Sequence, residues 1–180
     1  MPESWPVLLG AAIGTNARLL ELEPDTHWST LPRVKNTEAG LREFESDFQE
    51  PLPPGYRDFL LYSDGWEAFY FSMGIFGLPE LRGGGNWIPA QELLRTYNDE
   101  EVLENLGIDI EEVMPIAAGQ RLNLVVVYRS RSADPGQVVW INSGEEFARF
   151  GDFMSCFEFM VSLKQRHLAR IDPDHSRADP

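Results

Sequence analysis

Three prolines within four residues constrain this chain most, because they separate two stretches with helical spacing of apolar residues. Before the prolines, three apolar residues share one face of a helix that begins near Thr37: Leu41, Phe44 and Phe48. After them, a second apolar stripe contains Tyr56, Phe59 and Leu60. Proline is excluded from helix interiors but suits a first turn, where its missing N–H is not needed. The pattern therefore predicts two helices joined by a sharp turn.

The rest of the chain predicts strands with helices between them and a closing helix. Phe69–Phe76 is typical of a strand, and the Val-rich segments Leu122–Tyr128 and Val138–Asn142 predict a hairpin. The other predicted elements are two short helices, two short strands and a last helix: Pro89–Tyr97, Asp99–Leu106, Val113–Ala117, Glu145–Phe150 and Asp152–His167. This order favours an α+β fold over alternating βαβ units.

The length predicts a single domain with two terminal additions. At 180 residues the chain can bury a sizeable core without disulfides or metals. We expect residues 1–36 to be an N-terminal extension that packs on the domain, with a short helix at Asn16–Glu23 stopped by Pro24. Residues 37–168 are the predicted domain, and residues 169–180 are expected to fray.

The charge balance narrows the classes of partner. A net charge of −14 at pH 7 is repelled by nucleic-acid phosphates and by anionic lipid, so neither is expected as a partner. A basic protein is the electrostatic complement of such a chain. Cys156 is the one cysteine, which excludes an internal disulfide and favours a reducing, cytoplasmic location. No apolar run is long enough for a transmembrane helix.

The residue types that usually carry catalysis do not form a recognisable site. His27, His167 and His175 lack the spacing of metal ligands, and Cys156 lies among apolar residues beside Asp152 and Glu158. The triple glycine at 83–85 lacks the Lys-Ser/Thr of a phosphate-binding loop, so we interpret Pro79–Asn86 as a flexible surface loop. We therefore predict no catalytic residue, no metal and no cofactor.

One segment concentrates the negative charge. It carries seven acids without an intervening Lys or Arg: Asp99, Glu100, Glu101, Glu104, Asp109, Glu111 and Glu112. One interpretation is a solvated helix face whose apolar residues face the core: Val102, Leu103, Leu106 and Ile110. The other is a docking patch for a basic partner, which would raise association rate and specificity.

An aromatic cluster follows the second predicted helix. Trp66 and Tyr70 are the members that we expect to be exposed and to contact a partner, since Trp and Tyr are enriched at binding hot spots. Packing of the whole cluster into the core is the alternative. Strand alternation puts either Phe69 and Phe71, or Tyr70, on the inner side.

The stretch Leu52-Pro53-Pro54-Gly55-Tyr56-Arg57-Asp58-Phe59-Leu60-Leu61-Tyr62-Ser63-Asp64-Gly65-Trp66 resembles the signature of the SUKH superfamily. That group includes fungal Smi/Knr-type cell-wall-assembly regulators and bacterial immunity proteins. The resemblance extends over about residues 37–166 through several further matches: Met114-Pro115-Ile116-Ala117, Gly119, Asn123, Trp140 and Gly151-Asp152. Asp64 replaces the usual Asn, and the often acidic loop of the family is Ala118-Gly119-Gln120-Arg121 here.

The resemblance implies a SUKH-like fold, with helices flanking a central, mainly antiparallel sheet in a single domain. It also implies a binding module rather than an enzyme. It implies most directly an immunity protein that neutralises a toxin. The acidity of this chain suggests that the toxin is a basic nuclease. The alternative is an intracellular regulatory or scaffold protein of the Smi/Knr type, whose partner need be neither basic nor toxic. A partner-binding loop at residues 118–121 would have to work differently from its acidic counterparts in the family.

Overall fold

A six-stranded antiparallel sheet organises the computed structural model, which describes residues 4–26, 30–120 and 122–172. The strands pair in chain order: β1 Trp66–Tyr70, β2 Met73–Ile75, β3 Val113–Gly119, β4 Asn123–Tyr128, β5 Val138–Asn142 and β6 Glu145–Phe150. The helices of the described residues are α1 Trp5–Leu22, α2 Glu38–Phe48, α3 Pro54–Leu60, α4 Leu78–Leu81, α5 Trp87–Asp99, α6 Val102–Asn105 and α7 Phe153–Ile171, with a 3₁₀ turn at Ile110–Glu112. The predicted α+β fold with a mainly antiparallel sheet is confirmed.

One face of the sheet is covered by α1, α3 and α7 around a cluster of aromatic rings. Phe153 and Phe157 on α7 pack against Phe59 of α3, with ring centroids 5.3 and 5.9 Å apart. Trp5 at the start of α1 closes the cluster, 5.3 Å from the ring of Phe59. The sheet contributes alternate residues to this side: Met114, Ile116, Val125, Val127, Val138 and Trp140.

The opposite face is covered by α5 and α6. Their buried residues Leu94, Tyr97 and Leu103 meet the other set of strand side chains: Val113, Ala118, Leu124, Val126, Tyr128, Val139 and Ile141. Each central strand is thus buried on both faces, which is why Leu122–Tyr128 and Val138–Asn142 contain almost continuous apolar runs. The molecule has three layers, with the sheet between two sets of helices.

The helix–proline–helix prediction is confirmed. The Thr37 hydroxyl accepts a hydrogen bond from the Gly40 N–H at 3.0 Å and caps the start of α2. The helix ends at Phe48, and the next residue, Gln49, has a left-handed conformation with φ of 59°. Pro54 occupies the first turn of α3, as expected. Tyr56 of α3 is fully buried and donates its hydroxyl hydrogen to the Phe76 carbonyl at 2.7 Å, which ties this helix to the sheet.

Two predicted elements differ from the structure. Phe69–Phe76 is not one strand, because a tight turn at Phe71 and Ser72 separates β1 from β2, with Phe71 at a φ of 52°. The predicted loop Pro79–Asn86 begins inside a short helix, since α4 runs to Leu81 before the glycines. A Phe in a left-handed turn position is uncommon, so the sequence carries no turn signal there.

The termini also differ from expectation. The helix predicted at Asn16–Glu23 begins at Trp5 and has 18 residues. The closing helix α7 continues to Ile171, and the carboxylate of buried Asp172 pairs with the Arg18 guanidinium at 2.7 Å. The fraying of residues 169–180 stays a prediction. Residues 173–180 of the predicted tail, including His175, lie outside the described residues, as does His27. The domain boundaries 37–168 stay a prediction.

Candidate partner-binding surface

Three strand-to-strand connections lie at one end of the sheet, which we call the hairpin end. Their described residues are Phe71 and Ser72 between β1 and β2, Gln120 and Leu122 between β3 and β4, and Ser143 and Gly144 between β5 and β6. The register places them in one row, because Asn123 pairs with both Gly119 and Asn142 across three neighbouring strands. The opposite end of the sheet carries the start of β3 and the end of β4.

The acidic segment crosses the sheet face that α5 and α6 cover. Asp99 ends α5, Glu100 and Glu101 follow it, and Glu104 lies in α6. Asp109 caps the 3₁₀ turn, with its Oδ1 accepting a hydrogen bond from the Glu111 N–H at 2.9 Å. Six of the seven acids that were predicted to contact a partner are exposed, and Glu112 is half-buried. The segment therefore presents its carboxylates to solvent along its length.

The same segment is fixed to the sheet by its apolar residues. Leu103 is fully buried, while Val102, Leu106 and Ile110 are partly buried against the same cluster. The Tyr97 hydroxyl donates to the Leu122 carbonyl at 2.7 Å and accepts from the Gly144 N–H at 3.2 Å. The predicted packing of the apolar residues is confirmed, and it leaves the outward carboxylates available for a partner.

The fold divides the seven acids into two groups. Val102 lies beside Gly144, which places the neighbouring acids at the hairpin end. The hairpin-end acids are Asp99, Glu100, Glu101 and Glu104. At the other end of the sheet, the Glu112 carbonyl accepts a hydrogen bond from the Arg129 N–H at 2.7 Å, so we name the remaining three the far-end acids: Asp109, Glu111 and Glu112. A strand of six residues separates the two ends by about 20 Å at a rise of about 3.3 Å per residue.

Neither group of acids forms an ion pair with a described Lys, Arg or His. The Arg129 guanidinium, near the far-end acids, donates to the Val113 carbonyl and pairs with Glu50 at 2.9 Å. Arg149 reaches the Leu106 carbonyl, nearer the hairpin-end acids, but its charge is paired with Glu146 at 2.8 Å. The hairpin-end acids are the larger group, with four exposed carboxylates that lack an ion pair among the described residues.

The expectation that Trp66 is exposed is wrong. Its side chain is fully buried, 4.9 Å from the ring of Phe69, and its indole N–H donates to the Thr30 carbonyl at 3.0 Å. A register shift in β1, with Ala68 at a φ of 47°, breaks the strict alternation and turns both Trp66 and Phe69 inward. A surface contact by Trp66 is therefore not available in this fold.

Tyr70 is half-buried and lies at the rim of a groove at the hairpin end. Its ring meets Trp140 edge-on at 5.3 Å, and burial raises the pKa of its hydroxyl. The groove measures about 420 Å³ and is also lined by Phe71, Ser72, Gln120 and Asn123. Of the two aromatic residues predicted to contact a partner, Tyr70 is the one with an accessible side chain.

Two exposed apolar residues at the hairpin end were missed by the sequence reasoning. Phe71 is 44% exposed and Leu122 is 54% exposed, each at the tip of a turn and each with a positive φ. For Phe71 the sequence offers no local signal, because a Phe is uncommon in a left-handed turn position. Leu122 precedes an uninterrupted apolar run, and this pattern predicts a buried strand position instead of a turn.

The Cys156 thiol is buried and the His167 ring has a carboxylate neighbour. Burial and the charge of Asp152 raise the pKa of the Cys156 thiol, which is fully enclosed. The His167 ring lies 2.8 Å from a Glu23 carboxylate oxygen. No group of three or more His, Cys, Asp or Glu side chains with metal-binding geometry occurs in residues 4–26, 30–120 and 122–172. No helix in these ranges is long and apolar enough to span a bilayer.

Comparison with known proteins gives one family match. The model described as SMI1 / KNR4 family (SUKH-1) matches residues 35–158. The matched range runs from just before α2 into α7, so it includes both groups of acids and excludes α1. No curated protein matches the chain.

Proposed function

The chain belongs to the SMI1 / KNR4 family (SUKH-1), and from this premise we propose that it is a non-catalytic module that binds another protein. Within the family's immunity and Smi/Knr types, we propose the immunity role. The protein would neutralise a basic, nuclease-type toxin in the cytoplasm by binding it directly and covering its active site.

The positions of the family signature support a binding module. Leu52 and Phe59 are core residues, and Gly65 adopts a φ of 82° at a site where an added side chain would collide with the Ile75 carbonyl. The Asp64 carboxylate accepts hydrogen bonds from the Leu78 N–H at 2.7 Å and from Asn36 at 2.9 Å. The signature thus maintains the frame, and such a frame leaves the surface free to differ among partners.

The observation that carries the proposal is the exposed, uncompensated group of hairpin-end acids. A nuclease binds a polyanion, so its active-site surface is expected to be basic. Carboxylates at the end of α5, in the turn after it and in α6 can occupy the phosphate positions of the substrate and exclude it. Complementary charge of this kind raises the association rate and rejects acidic competitors more than it raises affinity.

A role without turnover is part of the proposal. The buried thiol of Cys156 lacks the thiolate character that a nucleophile needs. The abundant carboxylates do not need a catalytic explanation in a chain of net charge −14. Turnover by the pure protein that one carboxylate substitution abolishes would contradict this part of the proposal.

The test is capture of the partner from the native host, followed by an activity assay. The full chain and a charge-reversed variant, Glu100→Lys/Glu101→Lys/Glu104→Lys, serve as baits. A matched control reverses three exposed acids on the other side of the sheet: Glu43→Lys, Asp47→Lys and Asp58→Lys. We expect the full chain and the control to capture a basic nuclease and to inhibit it at equimolar ratio.

The charge-reversed variant should remain folded and lose that inhibition by at least about tenfold, because like charges at an interface oppose binding. Capture of a partner that is neither basic nor toxic would favour the regulatory or scaffold role of the Smi/Knr type. Equal inhibition by all three baits would contradict the assignment of the hairpin-end acids. Thermal unfolding of each bait checks that the substitutions have not disrupted the fold.

A further inference from the structure

Two apolar side chains project from neighbouring turns at the hairpin end. Phe71 and Leu122 occupy left-handed positions with φ of 52° and 57°, and about half of each side chain is accessible: 44% and 54%. The two turns are joined by a hydrogen bond in which the Gln120 N–H donates to the Ser72 hydroxyl at 3.1 Å. This hydrogen bond joins the two turns, so we treat Phe71 and Leu122 as one apolar feature of the surface.

A groove lies on each side of this feature. Ser72 and Gln120 line both grooves. The first, of about 420 Å³, extends past Phe71 and Tyr70. The second, of about 530 Å³, lies between Leu122 and Pro89 of α5. Grooves of this size accept a few side chains of a partner.

The hairpin-end acids border the apolar feature. The Tyr97 hydroxyl bonds to the Leu122 carbonyl, and Asp99, Glu100 and Glu101 follow Tyr97 within one helical turn. Glu145, at the start of β6, is also exposed at this end. Protein interfaces commonly combine an apolar centre with a polar, solvent-accessible rim, and the hairpin end has both parts.

We propose that the hairpin end docks a basic protein whose apolar cleft receives Phe71 and Leu122, while lysine and arginine side chains beside that cleft pair with the hairpin-end acids. This inference rests on the proposed function, and it adds the apolar contacts and the form of the partner's surface. A basic partner complements this surface electrostatically, because four carboxylates here lack an ion pair among the described residues.

A second copy of the chain is a poorer occupant. Each copy carries a net charge of −14, and facing hairpin ends would bring like charges together. Sedimentation should therefore show a monomer at low and at high salt. A dimer of the full chain that becomes a monomer in the Phe71→Asn/Leu122→Asn variant would overturn the inference in favour of self-association.

The test uses two synthetic peptides of equal length and charge, one of alternating Lys and Leu and one of alternating Lys and Ser. Affinity is measured by fluorescence anisotropy, and amide chemical shifts of the full chain locate the binding site. The variant Phe71→Asn/Leu122→Asn removes both apolar side chains, and asparagine tolerates the left-handed backbone. Leu31→Asn/Val34→Asn is the matched control, since these residues are 67% and 88% exposed elsewhere.

We expect the Lys/Leu peptide to bind the full chain at least about tenfold more tightly than the Lys/Ser peptide, with shifts at the hairpin end. The Phe71→Asn/Leu122→Asn variant should bind the two peptides equally, and the control should retain the preference. Charge reversal at Glu100, Glu101 and Glu104 should weaken the binding of both peptides.

Equal binding of the two peptides by the full chain would overturn the apolar part while leaving the proposed function standing. Unchanged affinity for both peptides after reversal of Glu100, Glu101 and Glu104 would instead contradict the role of the acids. Chemical shifts confined to another surface, or binding of neither peptide, would overturn the inference as a whole.

Discussion

Lys164 shows how one residue joins three elements of the fold. Its side chain is 5% exposed, and its ammonium donates to the Asn16 side-chain oxygen of α1 and to the Phe69 carbonyl of β1. It also lies 4.5 Å from the centre of the Phe69 ring. No carboxylate pairs with it among the described residues, and burial lowers its pKa to about 7. The folded state therefore favours the neutral amine at alkaline pH.

We predict that this lysine makes stability depend on pH. Between pH 7 and 10.5 the unfolded chain binds the proton that the folded chain releases, so the free energy of unfolding rises with pH across this window. Below pH 7 both states are protonated and the full burial cost remains. Relative to Lys164→Met, the free energy of unfolding of the full chain should rise across this window by on the order of 4–5 kcal/mol, which corresponds to the whole difference between the unfolded and folded pKa values.

Denaturant unfolding of the full chain and of Lys164→Met at a series of pH values measures this difference. Tyrosine titration is common to both proteins and cancels in the comparison. Parallel stability curves would mean that the acceptors and the Phe69 ring keep Lys164 charged in the folded state.

Helix α1 lies before residue 35, outside the range that the family model matches. The family match therefore does not say what α1 contributes to the stability of the fold. Its inner face is buried, with Leu8 and Ala12 almost inaccessible, and it lies along α7. Its outer face is exposed at Val7. This contact pattern is that of a helix folded with the domain rather than tethered to it.

We predict that Trp5→Ala destabilises the chain by about 3–5 kcal/mol, because Trp5 fills the space between Phe59, Phe153 and Phe157. Val7→Ala on the same helix is the control, and its 56% exposed side chain should change stability by less than about 1 kcal/mol. Thermal or denaturant unfolding checks both. A loss for Trp5→Ala as small as that of the control would show that α1 is dispensable for the fold.

At the scale of the whole molecule, the sequence predicted what local chemistry specifies. Pro54 and the Thr37 cap mark the two helices, and the valines of β4 and β5 mark a buried hairpin, because each signal acts within a few residues. The burial of Trp66 could not be predicted, since it follows from a register shift at Ala68 that only the pairing of β1 with β2 reveals.

The candidate site was predictable only in part for the same reason. The run of acids is visible in the sequence, but its division into hairpin-end and far-end groups depends on how α5 and α6 cross the sheet. Phe71 and Leu122 come together only because two turns meet through Ser72 and Gln120. Contacts between residues about fifty positions apart in the chain carry no local signal.

The central claim is that negative charge at the hairpin end brings a basic partner to this protein. The most direct measurement is the association rate constant with the captured partner at increasing salt, for the full chain and for Glu100→Lys/Glu101→Lys/Glu104→Lys. We predict that the rate for the full chain falls at least about tenfold as the Debye length shrinks from about 30 Å to about 8 Å, and that the variant starts slow and changes little. A rate for the full chain that is independent of salt, or equal to that of the variant, would contradict the account.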